Sequence, residues 1–102
     1  MKKIKKLLYV ISQTQRDGYD TYSDAVVCAP NEEEAKRIHP DCNHVWDEER
    51  EQFYMTCNDG SRVYVDSFGK WADHIDNVNV EQIGIALESQ NIGVIVSSFH
   101  AG

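Results

Sequence analysis

No run of apolar residues approaches the roughly 20 that a helix needs to cross a bilayer, which excludes a helical membrane span. The stretch Leu7 to Ile11 is too short for the apolar region of a secretory signal, although Lys2, Lys3, Lys5 and Lys6 precede it. Cysteine is scarce and odd in number, and Cys28, Cys42 and Cys57 are scattered rather than spaced as a disulfide framework, which fits a reducing compartment. The expected location is the cytoplasm. Basic residues are outnumbered, 10 Lys and Arg against 17 Asp and Glu, and the net charge of −7 repels phosphates and anionic lipid. Direct nucleic-acid binding and membrane association are therefore not expected. No phosphate-cradling glycine pattern, nucleophile elbow, H-E-x-x-H or calcium loop occurs, so no cofactor is assigned and nothing marks the chain as an enzyme.

What remains is a chain of 102 residues with ten aromatics, the size of one domain with one modest core. From Ile4 to Ser12 apolar residues fall on both alternating faces, which predicts an interior strand buried on both sides. Tyr22 to Ala29 predicts a second strand, antiparallel to the first. Asn31, with Glu34 three residues later, forms a capping box. It opens a short helix expected over Glu32 to His39, with acids in the first turn, bases near the end and Pro40 as a stop. Residues 41 to 50 are expected to be a loop. Asp59-Gly60 between Phe53–Cys57 and Arg62–Phe68 predicts a hairpin, followed by a loop with one helical turn over Gly69 to Asn77. Val78 to Ala86, bulged near Glu81 and Gln82, and Ile92 to Phe99 are expected as neighbouring strands. The predicted fold class is α+β, a small, largely antiparallel sheet in the order ββα-hairpin-ββ with one short helix.

Several constellations carry candidate chemistry. His39, Cys42 and His44 cluster closely, with Cys57, His74 and His100 as further donors, and would suit a tetrahedral zinc. The Cys42-x-His44 spacing departs from the usual zinc patterns, and a polar loop after the helix accounts for the same residues. Cys28 lies in an apolar strand, where a buried, inert thiol is expected. The turn bearing Asp17, Tyr19, Asp20, Tyr22 and Asp24 is dense in carboxylates and tyrosines and is a candidate binding surface, although Gly18 and the Asp side chains also serve turn geometry. Asp47, Glu48, Glu49 and Glu51 surround Arg50 in the densest charge run, suited to an arginine cluster on a partner or to a solvated loop. Trp46 and Trp71 are expected to be buried rather than exposed as anchors.

Gly18-Tyr19-Asp20-Thr21-Tyr22, Ala25-Val26-Val27, Glu32-Glu33-Glu34-Ala35, Ile38-His39-Pro40, Gly93-Val94-Ile95 and Ser98-Phe99-His100-Ala101-Gly102 together carry a resemblance. The chain resembles a family of small uncharacterised proteins of tailed bacteriophages and prophages over residues 7 to 40 and about 78 to 102. It departs from that pattern at Ser23-Asp24, where Asp-Ser is expected, at His100, where Asn is usual, and over residues 41 to 77. The resemblance implies action inside an infected bacterium, and it brings no reaction and no catalytic residue.

Three functions follow as expectations. The first is a non-enzymatic accessory protein that inhibits or redirects a bacterial host or defence protein, of anti-CRISPR or anti-restriction type, through an acidic surface. The second is a protein sequestering a nucleotide signal in a pocket of Tyr19, Tyr22 and His100. The third is a zinc enzyme using His39, Cys42 and His44. Edge strands in so small a sheet leave room for a homodimer.

Overall fold

The computed structural model describes residues 5–15, 21–41, 44–64 and 70–100, without the side chains of 99 and 100. Seven strands and one helix follow in the order β1 (Leu7–Ser12), β2 (Thr21–Ala29), α1 (Glu32–Lys36), β3 (Val45–Asp47), β4 (Gln52–Thr56), β5 (Arg62–Tyr64), β6 (Asn79–Ile85) and β7 (Gly93–His100). They build two antiparallel sheets, where the sequence suggested one: a four-stranded sheet ordered β6-β1-β2-β7 and a three-stranded sheet ordered β3-β4-β5. No described helix is long and apolar enough to cross a membrane.

β1 and β2 pair antiparallel, as their sequences predict, from Leu7 opposite Ala29 to Ser12 opposite Asp24. Side chains of directly paired residues share a face. Tyr9, Ile11, Ala25, Val27 and Ala29 therefore point together and are buried. Leu8, Val10 and Val26 point the other way and are only half-buried, so β1 is central in the sheet but is not sealed on both sides.

The second layer lies on the buried face. It contains α1, the three-stranded sheet and the segment 70–78, and contributes Ala35, Trp46, Phe53, Trp71, Ala72, Ile75 and Val78 to the core. Asn31 caps α1 by accepting the Glu34 amide at 2.8 Å. The helix ends at Lys36, three residues before the expected His39, because Arg37 closes it with bonds to the Glu34 and Ala35 carbonyls. Ile38 and His39 then leave the helix and drop toward the core.

Two further expectations are corrected. The supposed loop at 41–50 holds β3, in which Trp46 pairs with Phe53 of β4. Three residues are too few for an alternation signal, so only the partner strand reveals it. β6 and β7 are not neighbours: they are the two opposite edges of the large sheet. The seven residues 86–92 reach because an extended chain of that length spans roughly 23 Å, against about 14 Å across three strand intervals. Lys6 anchors this crossing, its Nζ donating to the Glu88 and Gln90 carbonyls at 2.8 Å each.

β4 and β5 pair antiparallel across Asn58-Asp59-Gly60, where the sequence places a hairpin. Gly60 takes φ +88, a backbone that side chains resist, and Asp59 accepts from the Ser61 amide at 2.9 Å. The expected continuation of this strand to Phe68 lies outside the described residues. The single helical turn appears as a 3₁₀ turn over Ile75–Asn77. The bulge in β6 falls at Ile83, which is skipped between Leu8–Gly84 and Tyr9–Gln82.

Candidate functional site

The chain bends at Pro40 and Asp41, a few residues past α1, and His39 and His44 on either side of that bend lie face to face. Their rings stack with centroids 4.1 Å apart and planes 15° from parallel. The pair is held from below by Phe53, whose ring meets His39 edge-on at 5.0 Å, and from the side by Trp71 at 6.3 Å. Both imidazoles are largely sealed, His39 being 5% and His44 8% exposed. Trp46 continues the cluster, edge-on to Phe53 at 5.0 Å and to His74 at 5.2 Å.

The stack parts two hollows. On one side is a cavity of about 180 Å³ whose lining includes Glu51, Phe53, Lys70, Trp71 and His74. On the other is a wider groove of about 810 Å³ between α1, β3 and the start of β7. No serine, threonine or cysteine lines the cavity among the described residues.

Asp41 governs both imidazoles. Its amide donates to His39 Nδ1 at 3.0 Å, so neutral His39 carries its proton on Nε2. Its carbonyl oxygen lies 3.3 Å and its Oδ2 3.6 Å from His44 Nδ1; both are acceptors, which places the neutral His44 proton on Nδ1. Burial, reinforced by the neighbouring His44 and by Lys70, pushes the His39 pKa down to about 3, so this ring is neutral at physiological pH. At the rim, His74 Nδ1 accepts from the Asp76 amide at 3.0 Å while its Nε2 faces Glu51 Oε1 at 3.4 Å. Glu51 has φ 53, the only positive φ outside glycine among the described residues.

As a metal centre the arrangement is poor. A metal binds in the plane of an imidazole, and two near-parallel planes 4.1 Å apart do not converge on one ion. A metal on His39 Nε2 would also require a proton on Nδ1, where the Asp41 amide already donates. Among the described residues no group of three or more His, Cys, Asp or Glu is placed to hold a metal. Cys42 lies outside the described residues, and so does the side chain of His100. Cys57 is exposed on the far hairpin.

The acidic run occupies the β3–β4 turn and is partly absorbed by the fold. Asp47 accepts from the Tyr64 hydroxyl at 2.8 Å and from the Glu49 and Arg50 amides, and these bonds lower its pKa, the Tyr64 bond most. Glu48 pairs with Arg37, which holds its carboxyl below the usual range. Trp46 Nε1 faces the same carboxylate without meeting hydrogen-bond geometry. Glu49 is exposed, and Glu51 leans to His74. On the outer side of this small sheet Arg50 lies over Tyr64 and Arg62 over Tyr54, each 4.4 Å from the ring centroid.

Of the tyrosine-rich turn, Asp17, Tyr19 and Asp20 lie outside the described residues. Tyr22 packs on the core and Asp24 is exposed two residues on, beyond a register shift in β2. Trp46 and Trp71 are buried, as their size predicts, and Cys28 is fully buried. The residues that sequence reading missed are Gln52, Lys70 and Asp73. Their one signal is adjacency to Phe53, Trp71 and His74 in the chain.

No family model, curated protein or solved structure matches the chain.

A third feature is the side of the large sheet that the second layer leaves uncovered. Leu8, Val10 and Val26 lie there, beside Val96, which pairs with Val26 and is 58% exposed. Ile95, skipped in the register between Val96 and Val94, is 43% exposed. Polar residues mark its margins: Ser12, Asp24 and Ser98 at one end and Glu81 on the β6 edge. Cys28, on the same side near Gly93, is fully buried.

Proposed function

We propose that the chain is a non-catalytic binding protein whose target is another protein, and that the uncovered face of the large sheet is its working surface. The observation that carries this reading is the apolar strip of Val10, Val26, Ile95 and Val96 on the outer side of a sheet whose other side already holds the core. Contiguous apolar surface left open to solvent, here the exposed Ile95 and Val96 beside the half-buried Val10 and Val26, characterises interaction sites.

At about 4.8 Å between strands and about 3.3 Å per residue, a four-strand face six residues long covers roughly 400 Å². A standard interface takes about 800 Å² from each partner. The partner therefore extends past the strip onto its margin, where Asp24 and Glu81 are exposed. A surface with an apolar centre and a basic rim fits both that margin and the net charge of −7. With the resemblance to phage proteins, the target class is a bacterial host protein, a component of a CRISPR or restriction system in particular. The acidic run contributes less than its sequence suggests, because Asp47 and Glu48 are engaged within the chain.

The test is phage plating on strains that each carry one CRISPR or restriction system and express this chain. The expected result is at least a tenfold rise in plating on one such strain, abolished by Val96→Asp and retained by Val63→Asp, a matched change at an exposed valine of the small sheet. No rise on any strain, or full activity of Val96→Asp, overturns the reading.

A further inference from the structure

We infer that the stacked His39–His44 pair is the recognition element of a site for a small planar cyclic amide, a ring whose N–H and carbonyl stand side by side, as on the edge of a pyrimidine base. This site is separate from the sheet face and does not depend on it.

The tautomers fixed by Asp41 are opposite. His39 carries its free proton on Nε2 and is a donor there; neutral His44 carries its proton on Nδ1 and offers a lone pair on Nε2. Neither Nε2 has a hydrogen-bond partner among the described residues. Nor is either among the unpaired buried atoms sealed from solvent, which are the indole Nε1 of Trp46 and Trp71. Both imidazole edges thus reach the open space beside the stack. A donor and an acceptor stand on rings 4.1 Å apart, in residues more than nine-tenths buried. Water can meet both atoms in the free protein, so a ligand that displaces it must supply one acceptor and one donor in its place.

The complement of a donor beside an acceptor is an acceptor beside a donor. A trans peptide does not provide one, because its N–H and carbonyl point in opposite directions. A cyclic amide and a primary amide both do. The surroundings favour the ring: Phe53 and Trp71 supply aromatic walls, and the cavity of about 180 Å³ is of the size that takes a single six-membered ring. A free anion is disfavoured. Glu51 and Asp73 line the same cavity, and its one lysine, Lys70, already has its Nζ 3.8 Å from Asp41 Oδ2. Glu51 is also the residue held at positive φ, in a conformation that glycine would adopt without strain.

The experiment titrates the full chain, with nitrogen-labelled histidines, against three probes: uracil, acetamide and N-methylacetamide. The His39 and His44 imidazole resonances are followed at a pH where both rings are neutral. Uracil is expected to shift both resonances saturably, at least tenfold more tightly than acetamide, while N-methylacetamide leaves them unmoved. His44→Phe retains a ring in the stack but no lone pair, and is expected to weaken uracil binding tenfold or more in a protein whose circular dichroism is unchanged. Should that variant not fold, the three titrations of the unaltered chain decide the matter alone. No saturable shift with uracil, an equal response to acetamide, or wild-type affinity in a folded His44→Phe protein overturns the assignment.

Discussion

Acidification should unfold this protein earlier than its carboxylates alone would require, and His39 is the reason. In the unfolded chain this imidazole takes up a proton near the ordinary histidine value of 6.5; in the folded chain burial, His44 and Lys70 push that pKa down to about 3. Below pH 6.5 the unfolded state therefore holds a proton that the folded state refuses. The stabilisation is complete above pH 6.5 and is lost as the pH falls toward the folded value. One proton corresponds to about 1.4 kcal/mol per pH unit, so between pH 6.5 and 5 the group removes about 2 kcal/mol, a large part of the stability of a small domain. The informative variant is His39→Asn, whose amide oxygen can still accept the Asp41 N–H but cannot titrate. Loss of the ring lowers stability at every pH by a constant amount, so the comparison rests on slope. Urea unfolding of both proteins at half-unit steps from pH 7.5 to 4.5 yields a difference curve in which the carboxylates held low in the fold, Asp47 and Glu48, largely cancel. A curve that is flat between pH 6.5 and 5 would refute the buried, neutral assignment of His39.

Glu51→Gly removes a left-handed strain of about 1 kcal/mol and only an exposed contact with His74, so chemical denaturation should show a more stable protein. Asn31→Ala takes away the cap that accepts the Glu34 amide and should cost about 1 kcal/mol in the same assay, with Asn31→Asp close to neutral. Ile11→Ala, at a fully buried position facing the core, should cost about 2 to 5 kcal/mol. Peptide mapping after a brief thiol-alkylating pulse should find Cys57 modified in the native protein and Cys28 modified only after denaturation.

The parts of the fold legible in the sequence are those specified by neighbouring residues. The Asn31 cap and the Asp59-Gly60 turn rest on signals within a few positions of one another, and the pairing of β1 with β2 rests on two clear strand patterns that follow each other in the chain. The parts that were not legible depend on pairing partners that their own short or irregular patterns do not announce. β3 is a strand because Trp46 meets Phe53, and β6 and β7 sit on opposite edges because β1 and β2 occupy the middle. The candidate site divides the same way. His39 and His44 attract notice by their closeness in sequence, but their stacking is set by the turn at Pro40 and by Phe53, Trp71 and Asp41 around them. Glutamate is not a residue that sequence reading assigns to a left-handed backbone, so nothing marked Glu51 beyond its charge.

The large sheet leaves one extra residue in each of its edge strands, Ile83 in β6 and Ile95 in β7. A bulge breaks the ladder and sharpens the twist, so a further strand laid along either edge would lose its register within a few residues. The sheet is thereby protected against growing sideways into a continuous fibre, even though both edge strands are rich in β-branched residues that favour such growth. On the uncovered side of the sheet, by contrast, the partner proposed above would have to match side chains rather than backbone.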